Sequence, residues 1–122
     1  MKDYSALSDQ EINLAVAEKL GYTYLGVDPR PCYAELHYLA EKDGEEVRIP
    51  KFTTDISAAW EIITEYKISM VYDFNGCQSW TAGATFVHNY MYGADPYFDI
   101  EVDNPSPLRA AMEVFLMLDK EV

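Results

Sequence analysis

Apolar residues recur along this chain at two different periods, and the change from one to the other marks out its elements. Ile12, Ala15, Val16 and Leu20 fall at helical spacing. Ahead of them, Ser8 and Glu11 form a Ser-x-x-Glu capping box, in which each side chain satisfies a free backbone N–H of the other. Asp9 and Glu11 complement the positive helix start, and Gly21 supplies the stop. A second helix begins near Asp55, capped by Asp55 or by Thr53 or Thr54. Its expected buried stripe is Ile56, Ala59, Trp60 and Ile63, with Ile62 and Tyr66 on the flanks. A third helix starts at Ser106 with Pro107 in the first-turn position, where its missing N–H costs nothing. Leu108, Ala111, Met112, Phe115 and Leu116 supply its apolar face.

Between these helices the period shortens to two. Tyr97 to Val102 alternates cleanly, with Phe98, Ile100 and Val102 on one face and Tyr97, Asp99 and Glu101 on the other. Ile68 to Phe74 and Cys77 to Val87 read as two strands of a hairpin. Asn75-Gly76 sits between them as a type I′ turn, and Trp80, Ala82, Ala84 and Phe86 share one face. Tyr33 to Ala40 is a weaker strand with Leu36 and Tyr38 on its apolar face, and Val47 to Ile49 a short return strand ended by Pro50. Residues 22–31, broken by Gly26, Pro29 and Pro31, read as an irregular connection, and residues 41–46 as a solvated turn or flexible loop. Residues 88–96 lack a period and read as a loop.

Short connections and the hairpin favour antiparallel pairing. Three amphipathic helices exceed what one face of a small sheet accommodates. The expectation is an α+β fold: a small antiparallel sheet with amphipathic helices on both faces, an α-β-α sandwich. The 122 residues suit one domain spanning 1–122. About half of them are apolar, with ten Tyr and two Trp, enough to bury a core. Trp60 and Trp80 are both expected in that core, where replacement by Ala costs on the order of 3–5 kcal/mol.

Charge narrows the functions. Nine basic residues against twenty-one acidic ones give a net charge of −12, and the basic residues are scattered. Direct nucleic-acid binding is therefore not expected, nor is binding to an anionic membrane. No stretch has the length of a membrane-spanning helix, and the N-terminus lacks the pattern of a signal peptide. Two cysteines make no disulfide framework, and the chain is expected in a reducing cytoplasm.

Candidate chemistry is sparse. Cys32, His37, Cys77 and His88 have no zinc-ligand spacing. Asp99, Glu101 and Asp103 with Asn104 lack the glycine and distal glutamate of a calcium loop, and read as a charged strand edge. A cysteine nucleophile at Cys77 would need His37 or His88 beside it. No G-x-S-x-G, phosphate loop or dinucleotide fingerprint occurs. No catalytic, cofactor-binding or metal residue is therefore assigned. Tyr is abundant, and Tyr suits protein interfaces because it joins a flat apolar ring to a hydroxyl. The loop carrying Tyr90, Tyr92 and Tyr97 is the expected protein contact.

Several segments carry a resemblance. They are Asp3-Tyr4-Ser5-Ala6-Leu7-Ser8-Asp9 with Glu11-Ile12-Asn13, then Asp55-Ile56-Ser57-Ala58-Ala59-Trp60 followed by Ile68-Ser69, and Pro107-Leu108-Arg109-Ala110-Ala111-Met112. With Trp80 and Ala82 in the hairpin, they resemble the NinX-type bacteriophage proteins and related phage α-β-α sandwich proteins. The resemblance runs nearly the full length and is poor over residues 22–50 and 88–103. It implies a phage or prophage origin and the sandwich fold, and it transfers no functional residue. The leading expectation is a non-enzymatic accessory protein in the bacterial host cytoplasm that binds a host or phage protein. Alternatives are an acidic DNA mimic inhibiting a nucleic-acid enzyme, and a small-ligand binder or enzyme. The mimic would array Glu41, Asp43, Glu45 and Glu46 with Asp95, Asp99, Glu101 and Asp103. A homo-oligomer is compatible with each.

Overall fold

The first helix, α1 (Asp9–Lys19), starts as its sequence requires. Glu11 N–H donates to Ser8 Oγ at 3.1 Å, and Ser8 N–H donates to the Glu11 carboxylate at 3.0 Å. A computed structural model describes residues 4–29, 37–76, 78–87 and 97–118; for residues 85–87 and Tyr97 the description is of the backbone alone. The expected strand residues 33–36, the side chain of Phe86, Cys32, Cys77, His88 and the 88–96 loop with Tyr90, Tyr92 and Asp95 lie outside it.

Beyond α1 the stretch expected to be irregular forms a strand, β1 (Thr23–Val27). It pairs antiparallel with β2 (Tyr38–Lys42), which pairs in turn with β3 (Glu45–Arg48). Gly26 had counted against a strand, but its φ of +124° falls where the ladder skips from Tyr24 to Gly26. A glycine at positive φ accommodates such a bulge, so Gly26 is part of the strand's pairing. The acidic 41–46 segment is likewise more ordered than expected. Lys42 pairs with Glu45 across Asp43 and Gly44, whose φ values of 54° and 81° are those of a two-residue type I′ turn.

The second half contains α2 (Ile56–Glu65), β4 (Ser69–Tyr72), β5 (Trp80–Val87), β6 (Tyr97–Asn104) and α3 (Pro107–Met117). Asp55 caps α2 by accepting from the N–H groups of Ser57 and Ala58, and Ser106 caps α3 by accepting from Arg109 N–H. The last three strands form a separate antiparallel sheet in the order β4-β5-β6. Asn75-Gly76 is not the tight turn expected of it. The positive φ values fall at Asp73, Gly76 and Gln78, and the Asp73 carboxylate accepts from Gln78 N–H at 2.7 Å to close a wider loop over residues 73–79. Gly83 in β5 has a specific reason to be glycine, since a Cβ there would stand 2.3 Å from the Phe98 ring.

The fold is thus α+β; among the described residues it has three helices and six strands, paired antiparallel and divided between two sheets. Every residue from Arg109 to Phe115 is buried, so α3 needs cover all round. The β4–β6 sheet packs on one side of it, and α1 and α2 pack against it elsewhere. Helix α1 also lies against β1, which brings the first sheet onto the same core. Ile12 and Val16 of α1, Ala40 of β2, Ile62 and Ile63 of α2, and Ala82 and Ala84 of β5 all join Met112 and Phe115 in one connected interior.

Polar clamps fix this packing. The Arg109 guanidinium is buried and donates to Glu113 (2.8 Å), to Asp9 (2.6 Å) and to the carbonyls of Tyr4 and Leu7. Burial alone would lower the Arg109 pKa, but hydrogen bonds and charge from Asp9 and Glu113 raise it overall, so the arginine stays charged. At the other end of α3, Lys19 donates to the carbonyls of Phe115 and Leu118 and lies over the Phe115 ring. The start of α1 therefore holds the start of α3, and the end of α1 holds its end.

Candidate interaction surface

Helix α2 presents the largest departure from the expected burial. Ala59, Ile62 and Ile63 are buried, and Tyr66 packs edge-on against Phe115 with ring centroids 4.8 Å apart. That orientation turns the other side of the helix outward. Ile56 is 66% exposed and Trp60 54% exposed, correcting their expected place in the core. Residues four apart are neighbours on a helix surface, so Ile56 and Trp60 form one apolar ridge. Thr64 continues the row, its hydroxyl donating back to the carbonyls of Trp60 and Glu61. Ser57, Glu61 and Glu65 form the adjacent exposed row.

Among the described residues, two other places expose large apolar side chains. On β1, Tyr24, Leu25 and Val27 are about half exposed. This strand is an edge of its sheet, but the bulge at Leu25 bends it away from the flat geometry that strand addition needs. On the second sheet, Tyr72 and Trp80 are cross-strand partners with ring centroids 5.5 Å apart and planes inclined at 64°. Trp80 is half-buried there, less enclosed than its expected core position. Tyr97 occupies a backbone position in β6 opposite Val87.

Open clefts lie near the first sheet. One, of about 390 Å³, is lined by Leu14, Ala17, Glu18, Tyr22, Thr23, Tyr24 and Ile49. Another, of about 450 Å³, includes His37, Arg48, Lys51, Thr54 and Asp55. Polar groups in the second are engaged in building the fold. Arg48 Nε donates to the buried Asp28 at 2.7 Å, Thr54 donates to the Lys51 carbonyl, and Asp55 caps α2. Glu11, whose pKa is lowered by the Ser8 backbone and hydroxyl hydrogen bonds, and Arg109 both lie outside these clefts. Among the described residues, no group of three or more His, Cys, Asp or Glu side chains is placed to hold a metal ion. Every buried side-chain nitrogen or oxygen among them has a hydrogen-bond partner.

The carboxylates proposed for phosphate mimicry fall into two groups. Glu41, Asp43, Glu45 and Glu46 are exposed on the β2–β3 hairpin of the first sheet, whereas Asp99, Glu101 and Asp103 lie on β6 of the second. The Asn75 amide donates to both Glu101 and Asp103, at 3.0 and 3.1 Å, and the Thr81 hydroxyl donates to Asp103. Two carboxylates of the second group thus serve to tie the 73–79 loop to its sheet.

Sequence reasoning missed the Ile56–Trp60 ridge, because a helical period identifies an apolar stripe without saying how far the helix is rotated about its axis. Glu61 and Glu65, four residues apart with no cation between them, were the available signal. Among the described residues, no helix is long and apolar enough to cross a membrane. A family model described as "Bacteriophage P22, NinX" matches residues 3–119. No curated protein and no solved structure matches the chain significantly.

Proposed function

The chain belongs to the bacteriophage P22 NinX family, and from that premise we propose that it is a non-enzymatic phage accessory protein. In this reading it works in the cytoplasm of the infected bacterium by binding a host or phage protein through the exposed face of α2. The observation that carries the reading is the Ile56–Trp60 ridge. Exposed tryptophan beside exposed isoleucine is costly to leave in water, and tryptophan is among the side chains that dominate binding energy when covered. The polar groups around the second cleft are already engaged within the fold, which favours recognition over chemistry.

A photo-crosslinking residue at position 57, on the same exposed face, tests this in infected cells. The expected result is a discrete crosslinked protein that disappears with Trp60→Ala and persists with Tyr72→Ala. Equal crosslinking with and without Trp60 would refute the assignment to α2. Changing Tyr90, Tyr92 and Tyr97 to Ala in the same assay measures whether that loop adds to the contact.

A further inference from the structure

We propose that the exposed face of α2 takes a basic amphipathic helix of its partner, whose apolar side chains cover Ile56 and Trp60 and whose Lys or Arg side chains meet Glu61 and Glu65. This rests on the reading of α2 as a binding face and adds the chemistry of what binds there. The face has two rows. Ile56, Trp60 and Thr64 form one, and Ser57, Glu61 and Glu65 the other, all exposed. Side-chain rows of one helix fit the grooves of another, so a helix with an apolar row beside a basic row is the complementary shape.

The acidic row is placed against the helix's own interest. Like charges four residues apart repel. Glu65 stands in the last turn, where the helix dipole is negative, and that turn holds no basic residue. Glu61 and Glu65 take part in none of the ion pairs found among the described residues. Lys67 follows the helix but is exposed, in a left-handed backbone position with φ 55°. A local conflict of this kind, with no compensating ion pair among the described residues, is what a binding requirement leaves behind. A cationic partner relieves it, and an Arg side chain can also stack on the Trp60 ring. A second copy of this chain is a poorer occupant, because it brings the same acidic row and a net charge of −12 to a face that already repels anions.

The test uses the full chain, isotopically labelled for NMR, and three synthetic peptides of equal length. They are a Leu/Lys amphipathic helix, a Leu/Glu amphipathic helix, and a Lys/Ser peptide with no apolar face. The expected result is saturable movement of the α2 amides and the Trp60 indole resonance with the Leu/Lys peptide alone. Trp60→Ala should weaken that binding at least about thirtyfold, as loss of a central anchor does. Glu61→Gln with Glu65→Gln should weaken it about threefold or more, and 1 M salt, which cuts screening to about 3 Å, should erase that difference. Thermal melts establish first that each variant is folded. Equal binding of the Leu/Glu peptide, shifts spread over the β2–β3 hairpin, indifference to Trp60→Ala, or self-association through α2 would each overturn the proposal. If position 57 still crosslinks a partner when the peptides fail, the binding face stands and its basic occupant is wrong; if both fail, the face is wrong as well.

Discussion

Arg109 is the residue on which most depends. Its guanidinium joins α3 to the start of α1 and to two carbonyls of the preceding turn, and it neutralises Glu113, whose side chain is 3% exposed. Arg109→Met leaves that carboxylate buried and unpaired, and should destabilise the fold by about 3–5 kcal/mol in denaturant titration. Arg109→Met with Glu113→Leu should recover part of the loss, since a buried pair replaced as a unit is far less costly than a broken one. Trp60 is the opposite case. As a core residue its replacement by Ala would cost about 3–5 kcal/mol, but at 54% exposure the expected cost falls to about 0.5 kcal/mol. The two tryptophans show what one sequence can convey at this scale. Both were legible as apolar positions on ordered elements, because spacing records that. How much of each ring is covered depends on distant residues, such as Phe115 for the rotation of α2, and spacing does not record that.

At the scale of elements, helix starts were the most legible feature, since caps are local chemistry. Ser8, Asp55 and Ser106 all cap as expected, whereas β1 and the Asp43–Gly44 turn needed knowledge of which strand lay opposite. The capping box predicts a pH response. The Glu11 pKa is lowered in the folded chain, so its contribution is present above the unfolded carboxylate pKa and is lost as pH falls through the folded value. Ser8→Ala should cost about 1 kcal/mol near neutral pH and should flatten that part of the acid-side stability profile. On α2, Glu65→Lys replaces a repulsive i,i+4 pair with an attractive one and suits the helix C-terminus. It should raise stability by about 0.3–1 kcal/mol in thermal or chemical melts. The same substitution should lose the crosslinked partner, a separation of stability from binding that mere damage to the fold would not produce.

The whole molecule balances one connected core against a net charge of −12. Exposed carboxylates on both sheets repel one another, so moderate salt should raise the thermal midpoint, while the buried Arg109–Glu113 pair should respond little. A midpoint that falls with salt would mean that surface ion pairs outweigh the repulsion. The α+β class, the helices and the antiparallel pairing were readable from pattern. The split into two sheets was not, because it depends on which strands pair with which across the chain, and a local period of two does not record the partner.

The encasement of α3 has a temporal meaning when the chain is made. A ribosome releases α3 after every other described element, so α1, α2 and the β4–β6 sheet emerge with the surfaces that pack on it still bare. Until residues 107–118 leave the exit tunnel, the nascent polypeptide lacks the helix that α1, α2 and the second sheet pack against, and it is a natural client for chaperones. Proteolysis of stalled nascent chains should therefore show protection of the β4–β6 sheet arriving only once α3 has emerged.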